Sequence, residues 1–360
     1  MNRLRCPYLI VANTALLMVL LQWGAHGAIL AYHAVAPWLL AVEPPEYAHD
    51  ALAGLSEADA RALWRVTAWL PYRFAGGAGF VHGQRHSRFV NVDEYGIRSN
   101  GGSGRAISAL DGATWFLGGS TAFGFGVPDH QTIPAYLEQI TGEPVINMGV
   151  RGHGSTMENR LFRYYLRAGY RPKQVVFLDG INEVCDPDLF SAQMQRLTQR
   201  AQQGYRWEFG EPVVFAFNSV MGWLTKPPRE EIEEGPDVSL SCDGSGRYNQ
   251  LGEIVGRVLG EREAICELDA IPCYTFVQPF GGVHGRHDDT QFAATHEGRQ
   301  MQNLFRHLEP VWRVHDATFA THAFDGVPPG LWVDPTHYSP RGNKLVAEII
   351  HRRLLEAAVP

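Results

Sequence analysis

The sequence predicts an α/β fold in which helices cover both faces of a parallel sheet. Three observations predict it. Four short, continuously apolar runs read as strands buried on both faces: TWFLG at 114–118, PVINMGV at 144–150, QVVFLDG at 174–180 and IPCYTFVQP at 271–279. Helical stretches separate the first three of them, and strands alternating with helices build a parallel sheet. Gly-, Ser- and Asn-rich segments follow the strands, at the carboxyl edge where such sheets bind ligands.

In chain order, MNRLRCP carries Arg3 and Arg5 ahead of an apolar run from Tyr8 to Leu21, and a second run spans Ala28 to Val42. Basic residues before an apolar run keep the N-terminus in the cytoplasm and send the downstream chain across the membrane. Residues 1–42 are therefore expected to be a membrane anchor or a signal peptide cleaved near Ala25–Gly27. Either way the rest of the chain is exported to the periplasmic or extracellular face. Residues 43–112 form a lead-in expected to pack on the core, helical within 44–70, a strand and turn at 88–100, and a loop at 101–106. The sheet domain is expected over 113–360. QTIPAYLEQIT (131–141) is its first helix, and residues 156–170 its second, with Leu161, Phe162, Tyr164 and Tyr165 near one side. The interval 187–257 is too long for an ordinary connection and is expected to form a cap beside the site, its apolar stretch PVVFAFNSVMGWL buried against the core. Ser339 and Pro340 read as the N-cap and first turn of a terminal helix. Leu345, Val346, Ile349, Ile350 and Leu354 give that helix its apolar stripe.

Composition narrows the partners. Of the 360 residues 45% are hydrophobic, the net charge is −7, and no Lys/Arg block occurs, which argues against a nucleic-acid surface. Cys6 precedes the apolar run, unlike a lipid-modified cysteine. The other four, Cys185, Cys242, Cys266 and Cys273, permit two disulfides in an exported domain. The expected pairs are Cys266 with Cys273 and Cys185 with Cys242; the alternative is that Cys273 is a buried thiol in its strand.

Four segments carry the candidate chemistry: Gly118-Gly119-Ser120, Asn147 to Gly152, Gly180-Ile181-Asn182-Glu183, and Asp334-Pro335-Thr336-His337. A serine hydroxyl is a weak nucleophile and needs an imidazole to take its proton. The imidazole needs a carboxylate to fix its tautomer, and three residues separate Asp334 from His337. A tetrahedral intermediate needs donors for its oxyanion. The Ser120 N–H, the Gly152 N–H and the Asn182 side-chain amide are the candidates, with Gly149 a rival for the second. HGQRH at 82–86 and HGRHDD at 284–289 lack the helical spacing of a metal site. GGSTAFGFG is not followed by the Lys-Ser/Thr of a phosphate loop, and Ala122 stands where a G-x-S-x-G elbow needs glycine.

These four blocks, in this order, resemble the SGNH/GDSL hydrolase superfamily over residues 113–357. The resemblance implies a three-layer α/β/α sandwich of flavodoxin-like strand order. It also implies a catalytic triad of Ser120, His337 and Asp334, and an oxyanion hole of Ser120, Gly152 and Asn182. It implies a serine esterase that needs no cofactor or metal. Gly119 and Glu183 stand where the family usually has Asp, which leaves the substrate class open. An exported esterase of this kind would act on small esters or an O-acylated envelope carbohydrate. The alternatives are an O-acetyltransferase using the same triad, and a non-catalytic glycan-binding or scaffold module.

Overall fold

The computed structural model describes residues 54–101, 107–183, 245–284 and 294–358, with Leu52 and scattered helical positions between 17 and 27. The chain divides into two compact units, residues 1–41 with 199–236, and residues 42–198 with 237–360. The sheet and every candidate site residue belong to the second unit. The expected anchor over 1–42 lies almost wholly outside the described residues, as does most of the expected cap. Among the described residues no helix is long and apolar enough to cross a membrane.

The lead-in begins with helix α1 (Glu57–Ala68), where the Ser56 side chain caps the first turn by accepting from the Asp59 N–H. A short antiparallel hairpin follows, β1 (Tyr72–Phe74) and β2 (Phe80–His82). Residues 88–100 are not the expected strand. They make single antiparallel bridges, Val92 with Arg98 and Arg98 with Asn147, around a turn at Asp93–Gly96.

The sheet domain then runs β3 (Thr114–Gly118), a one-turn helix α2 (Ser120–Phe123), α3 (Ile133–Thr141), β4 (Val145–Asn147), α4 (Ser155–Arg167), β5 (Gln174–Asp179), α5 (Ser245–Leu268), β6 (Cys273–Val277), α6 (His296–Val314), β7 (Thr318–Phe319) and α7 (Pro340–Ala358). The strand order is β4-β3-β5-β6-β7, and every pairing is parallel. This is the doubly wound order whose reversal point lies beside the first strand. The end of β3, where Ser120 sits, is therefore at the crevice.

Alternation along the strands fills both faces. Trp115, Leu117, Val175 and Phe177 face a core built with Leu161, Phe162 and Tyr165 of α4. Phe116, Val176, Leu178 and Phe276 face the other, built with Leu137 of α3 and Val346, Ile350 and Leu354 of α7. The expected α/β/α sandwich is present, and the terminal helix docks by the stripe read from its spacing.

Two helices escaped the sequence. The interval expected to run to residue 257 contains the first half of α5, and α6 gave no signal. Glycine is a poor helix former, and α5 carries Gly252, Gly256 and Gly260 four residues apart. They form a shallow stripe against α6. A Cβ at Gly252 or Gly256 would lie 3.5 Å from Val311, so the two helices pack closely through it. Cys266 and Cys273 form a disulfide joining the end of α5 to β6. Cys185 and Cys242 lie outside the described residues.

Arg262 ties α5 to the sheet. Its guanidinium makes a two-pronged bond to Asp179 (2.9 and 3.0 Å), and others to Glu158 (3.2 Å), Asn159 Oδ1 (3.0 Å) and Thr275 Oγ1 (3.0 Å). It also stacks 3.9 Å from the Phe177 ring centroid. Arg262, Asp179 and Glu158 are all buried. Burial, then the nearby Asp179, pushes Glu158 well above the carboxylate range. Arg262→Met keeps the volume and leaves Asp179 without its partner, which costs about 3–5 kcal/mol for a buried ion pair broken on one side. The urea midpoint is expected to fall accordingly; a midpoint within error of wild type would show the cluster to be energetically idle.

Candidate active site

β3 ends at Gly118, and Ser120 opens the one-turn helix directly after it. The first N–H groups of a helical turn have no partner inside it, so the Ser120 N–H is left open to a ligand at the end of β3. Gly119 packs tightly where it stands. A Cβ there would lie 1.8 Å from Asn182 Nδ2 and 2.9 Å from the His153 carbonyl. The departure from the family pattern at this position thus has a steric consequence, because the Asn182 amide occupies the space a side chain would need.

The second and third segments meet at the same place. Asn182 Nδ2 donates to the His153 carbonyl at 2.8 Å, which leaves its other hydrogen for a ligand. Gly152 sits at φ +80°, a conformation glycine adopts without strain, and nothing beyond its chain neighbours lies within 4 Å of where its Cβ would be. The rival Gly149 does not fit the donor role. Its N–H donates to Asn147 Oδ1 at 3.1 Å, and a Cβ on it would strike the Ser120 turn, 2.3 Å from the Phe123 nitrogen.

The fourth segment reaches Ser120 from the other side. His337 Nε2 lies 2.7 Å from Ser120 Oγ, and His337 Nδ1 lies 2.6 Å from Asp334 Oδ2. Asp334 Oδ1 accepts from the Thr336 and His337 N–H groups, both at 2.8 Å, and from Thr336 Oγ1 at 3.0 Å. The turn is closed by Val333 N–H donating to the His337 carbonyl, and Tyr338 is held by its hydroxyl on the Pro279 carbonyl. Phe125 lies against the His337 ring at 4.6 Å between centroids. Burial would raise the Asp334 carboxyl, but the adjoining His337 and the hydrogen bonds it accepts hold it below its ordinary value of 3.8. All five predicted residues, Ser120, Gly152, Asn182, Asp334 and His337, therefore lie around the end of β3. A cavity of 810 Å³ lined by His86, Asn91, Arg98 and Asp129 includes none of them.

Several supporting residues carried no signal in the sequence. Arg98 donates to the carbonyls of Phe123 (2.8 Å), Gly124 (2.6 Å) and Val127 (2.7 Å), bracing the Ser120 turn from the lead-in, and pairs with buried Asp129. His82, noted in the sequence only as part of HGQRH, accepts the Arg151 N–H. Among the described residues no cluster of three or more His, Cys, Asp or Glu side chains is placed to hold a metal.

Glu183 links the third block to α4. Its Oε1 accepts from the Ser155 N–H (2.9 Å) and from Ser155 Oγ (2.6 Å). Burial, then the Asp179 charge, raises its carboxyl from 4.5 to about 6 against the Ser155 bonds. The folded chain thus holds a proton that the unfolded chain has released between these values. Stability falls as pH rises through that window, by roughly 2 kcal/mol, and levels off above it. Glu183→Gln keeps an acceptor for Ser155 and has no proton to lose. Relative to wild type, the variant is expected to gain about 2 kcal/mol between pH 4 and 7. A constant difference across that range in paired denaturant titrations would contradict the assignment.

No protein-family model and no curated protein matches the sequence. The chain is similar to solved structures of GDSL and SGNH type. One is a protein assigned to the lipolytic G-D-S-L family from Desulfitobacterium hafniense, at 14% identity and TM-score 0.38, covering 67% of this chain and 99% of that one. Another is the acetyl xylan esterase AlAXEase, at 12% identity and TM-score 0.37, covering 69% and 100%. A third is Est24, a carbohydrate acetylesterase from Sinorhizobium meliloti, at 10% identity and TM-score 0.38, covering 69% and 100%. The chemistry of the site rests on its own distances.

Proposed function

We propose that this chain is a serine ester hydrolase of SGNH type. The observation that carries the reading is the unbroken chain from Asp334 through His337 to Ser120, at 2.6 and 2.7 Å, facing Gly152 and Asn182. Ser120 Oγ attacks the ester carbonyl and its proton passes to His337 Nε2. Asp334, held ionised, keeps the Nδ1–H tautomer and balances the imidazolium. The oxyanion takes hydrogen bonds from the Ser120 and Gly152 N–H groups and from the free hydrogen of Asn182 Nδ2. His337 then returns the proton to the leaving alcohol, and water, activated by the same imidazole, releases the acid.

The substrate class is an O-acyl ester, with an acetylated envelope carbohydrate as the preferred form. Three features support this: the basic-then-apolar N-terminus expected to export and anchor the chain, the Cys266–Cys273 disulfide, which suits an oxidising compartment, and the resemblance carried by the four blocks.

The test is to incubate full-length protein with p-nitrophenyl esters of increasing chain length and with a fluorophosphonate probe, mapping the labelled peptide. The expected result is turnover of short esters with the label on Ser120. Folded protein that neither turns over nor labels would sink the reading. Acyl transfer to an added sugar in preference to water would make the chain a transferase using the same triad.

A further inference from the structure

The turn that carries Gly152 is fastened on both sides, and the fastenings come from the lead-in. On one side, His82 Nε2 accepts the Arg151 N–H at 3.1 Å. The Arg151 guanidinium reaches the C-terminal end of α1, donating to the carbonyls of Thr67 (2.5 Å), Ala68 (3.0 Å) and Leu70 (2.8 Å). The Thr67 and Ala68 carbonyls, in the last turn, lack partners within the helix. On the other side, His153 Nε2 donates to the Phe80 carbonyl at 2.9 Å. Gly152 itself, between them, is in open space. The His82 side chain is fully buried, stacked on Tyr72 at 4.9 Å and lying 4.4 Å from Phe123, which belongs to the Ser120 turn.

We propose that His82 is a positioning residue for the oxyanion hole, fixing the Arg151 N–H and thereby aiming the Gly152 N–H at the oxygen of a carbonyl under attack by Ser120. The proposal rests on the serine-hydrolase reading above. Its physical basis is the freedom of glycine. A Gly peptide with no side chain and no packing neighbour visits many φ/ψ states, so its N–H points at the oxyanion only if its neighbours are held. Preorganised donors are what an oxyanion hole contributes, and a small misplacement far from the chemistry can cost about 100-fold. His82 accepts only as the neutral imidazole with its proton on Nδ1. Burial, followed by the Arg151 charge, pulls it well below the usual histidine value of 6.5, so it stays neutral at working pH.

A misaimed Gly152 N–H weakens the transition state more than the bound ester, so kcat falls while KM holds. The experiment measures kcat and KM on p-nitrophenyl acetate, Kd for phenylboronic acid, and the melting temperature. It uses the full-length wild type, His82→Leu, His82→Gln and Arg151→Met. Leucine removes the acceptor without overfilling the site. Glutamine offers an amide oxygen in its place. Methionine releases the turn from α1 and keeps the backbone N–H that His82 accepts.

His82→Leu and Arg151→Met are expected to lower kcat about 10–100-fold at a KM within about twofold, with boronate affinity falling in step. His82→Gln is expected to recover kcat to within roughly threefold of wild type. Folded His82→Leu and Arg151→Met with wild-type kcat would overturn the proposal. So would a glutamine variant as slow as the leucine variant and melting as low, since that marks a purely structural residue. If the leucine variant does not fold, Arg151→Met decides: a folded variant with wild-type kcat overturns the proposal. A wild-type protein that neither turns over nor labels removes the serine reading and this proposal with it, whereas an active wild type with insensitive variants removes only the role of His82.

Discussion

Ser120→Ala is expected to reduce ester turnover by about 10⁶-fold and to abolish fluorophosphonate labelling, with the melting temperature unchanged. The size of the effect follows from what is left behind. His337 Nε2, 2.7 Å from the missing oxygen, has no hydroxyl proton to take. The Gly152 N–H and the Asn182 amide remain, so the residual rate is that of water attacking a carbonyl polarised by the oxyanion donors. Ser120 is buried in a turn held by Arg98 and loses one oxygen, which keeps the structural change small. Turnover within tenfold of wild type would mean that the nucleophile is elsewhere.

Asp334→Asn is expected to lower kcat by about 10⁴-fold, again without unfolding the protein. The hydrogen bonds around Asp334 dictate the outcome. Oδ1 receives two N–H groups and the Thr336 hydroxyl, at 2.8 to 3.0 Å, so an asparagine must place its single oxygen there. Its NH₂ then takes the place of Oδ2, 2.6 Å from His337 Nδ1. A donor at that position forces Nδ1 to accept, which moves the imidazole proton to Nε2. The nitrogen facing Ser120 can then no longer take a proton, and the charge that balanced the imidazolium is gone. Steady-state kinetics and a thermal melt on the same preparation check both halves. A loss smaller than about tenfold would show that His337 reaches the right tautomer without Asp334.

Much of the fold was legible in the chain because its signals are local. A strand such as TWFLG is buried at every position and carries no charge, since the sheet is covered on both faces. The terminal helix announced itself through Ser339, Pro340 and a stripe at helical spacing. α5 did not, because the glycines that let α6 approach also lower helix propensity, and their reason lies in Val311, more than fifty residues away in the chain. The segment 88–100 looked like a strand because Val90 and Val92 are apolar, yet its partners are single bridges and a buried arginine.

The same division runs through the site. The sequence by itself singled out the residues of the proposed site, because Ser120, Gly152, Asn182, Asp334 and His337 stand in short ordered blocks at strand ends, and a parallel sheet brings strand ends to one edge. The tertiary structure alone decided how those groups are held. It set Gly152 rather than Gly149 in the open position, since the Gly149 N–H is spent on Asn147. It brought the Asn182 amide close over Gly119. It also brought Arg98 and His82 from the lead-in to brace the Ser120 and Gly152 turns. These bonds join residues 25 to 69 positions apart. No spacing or periodicity encodes such a contact, because it exists only once burial has closed the chain around it.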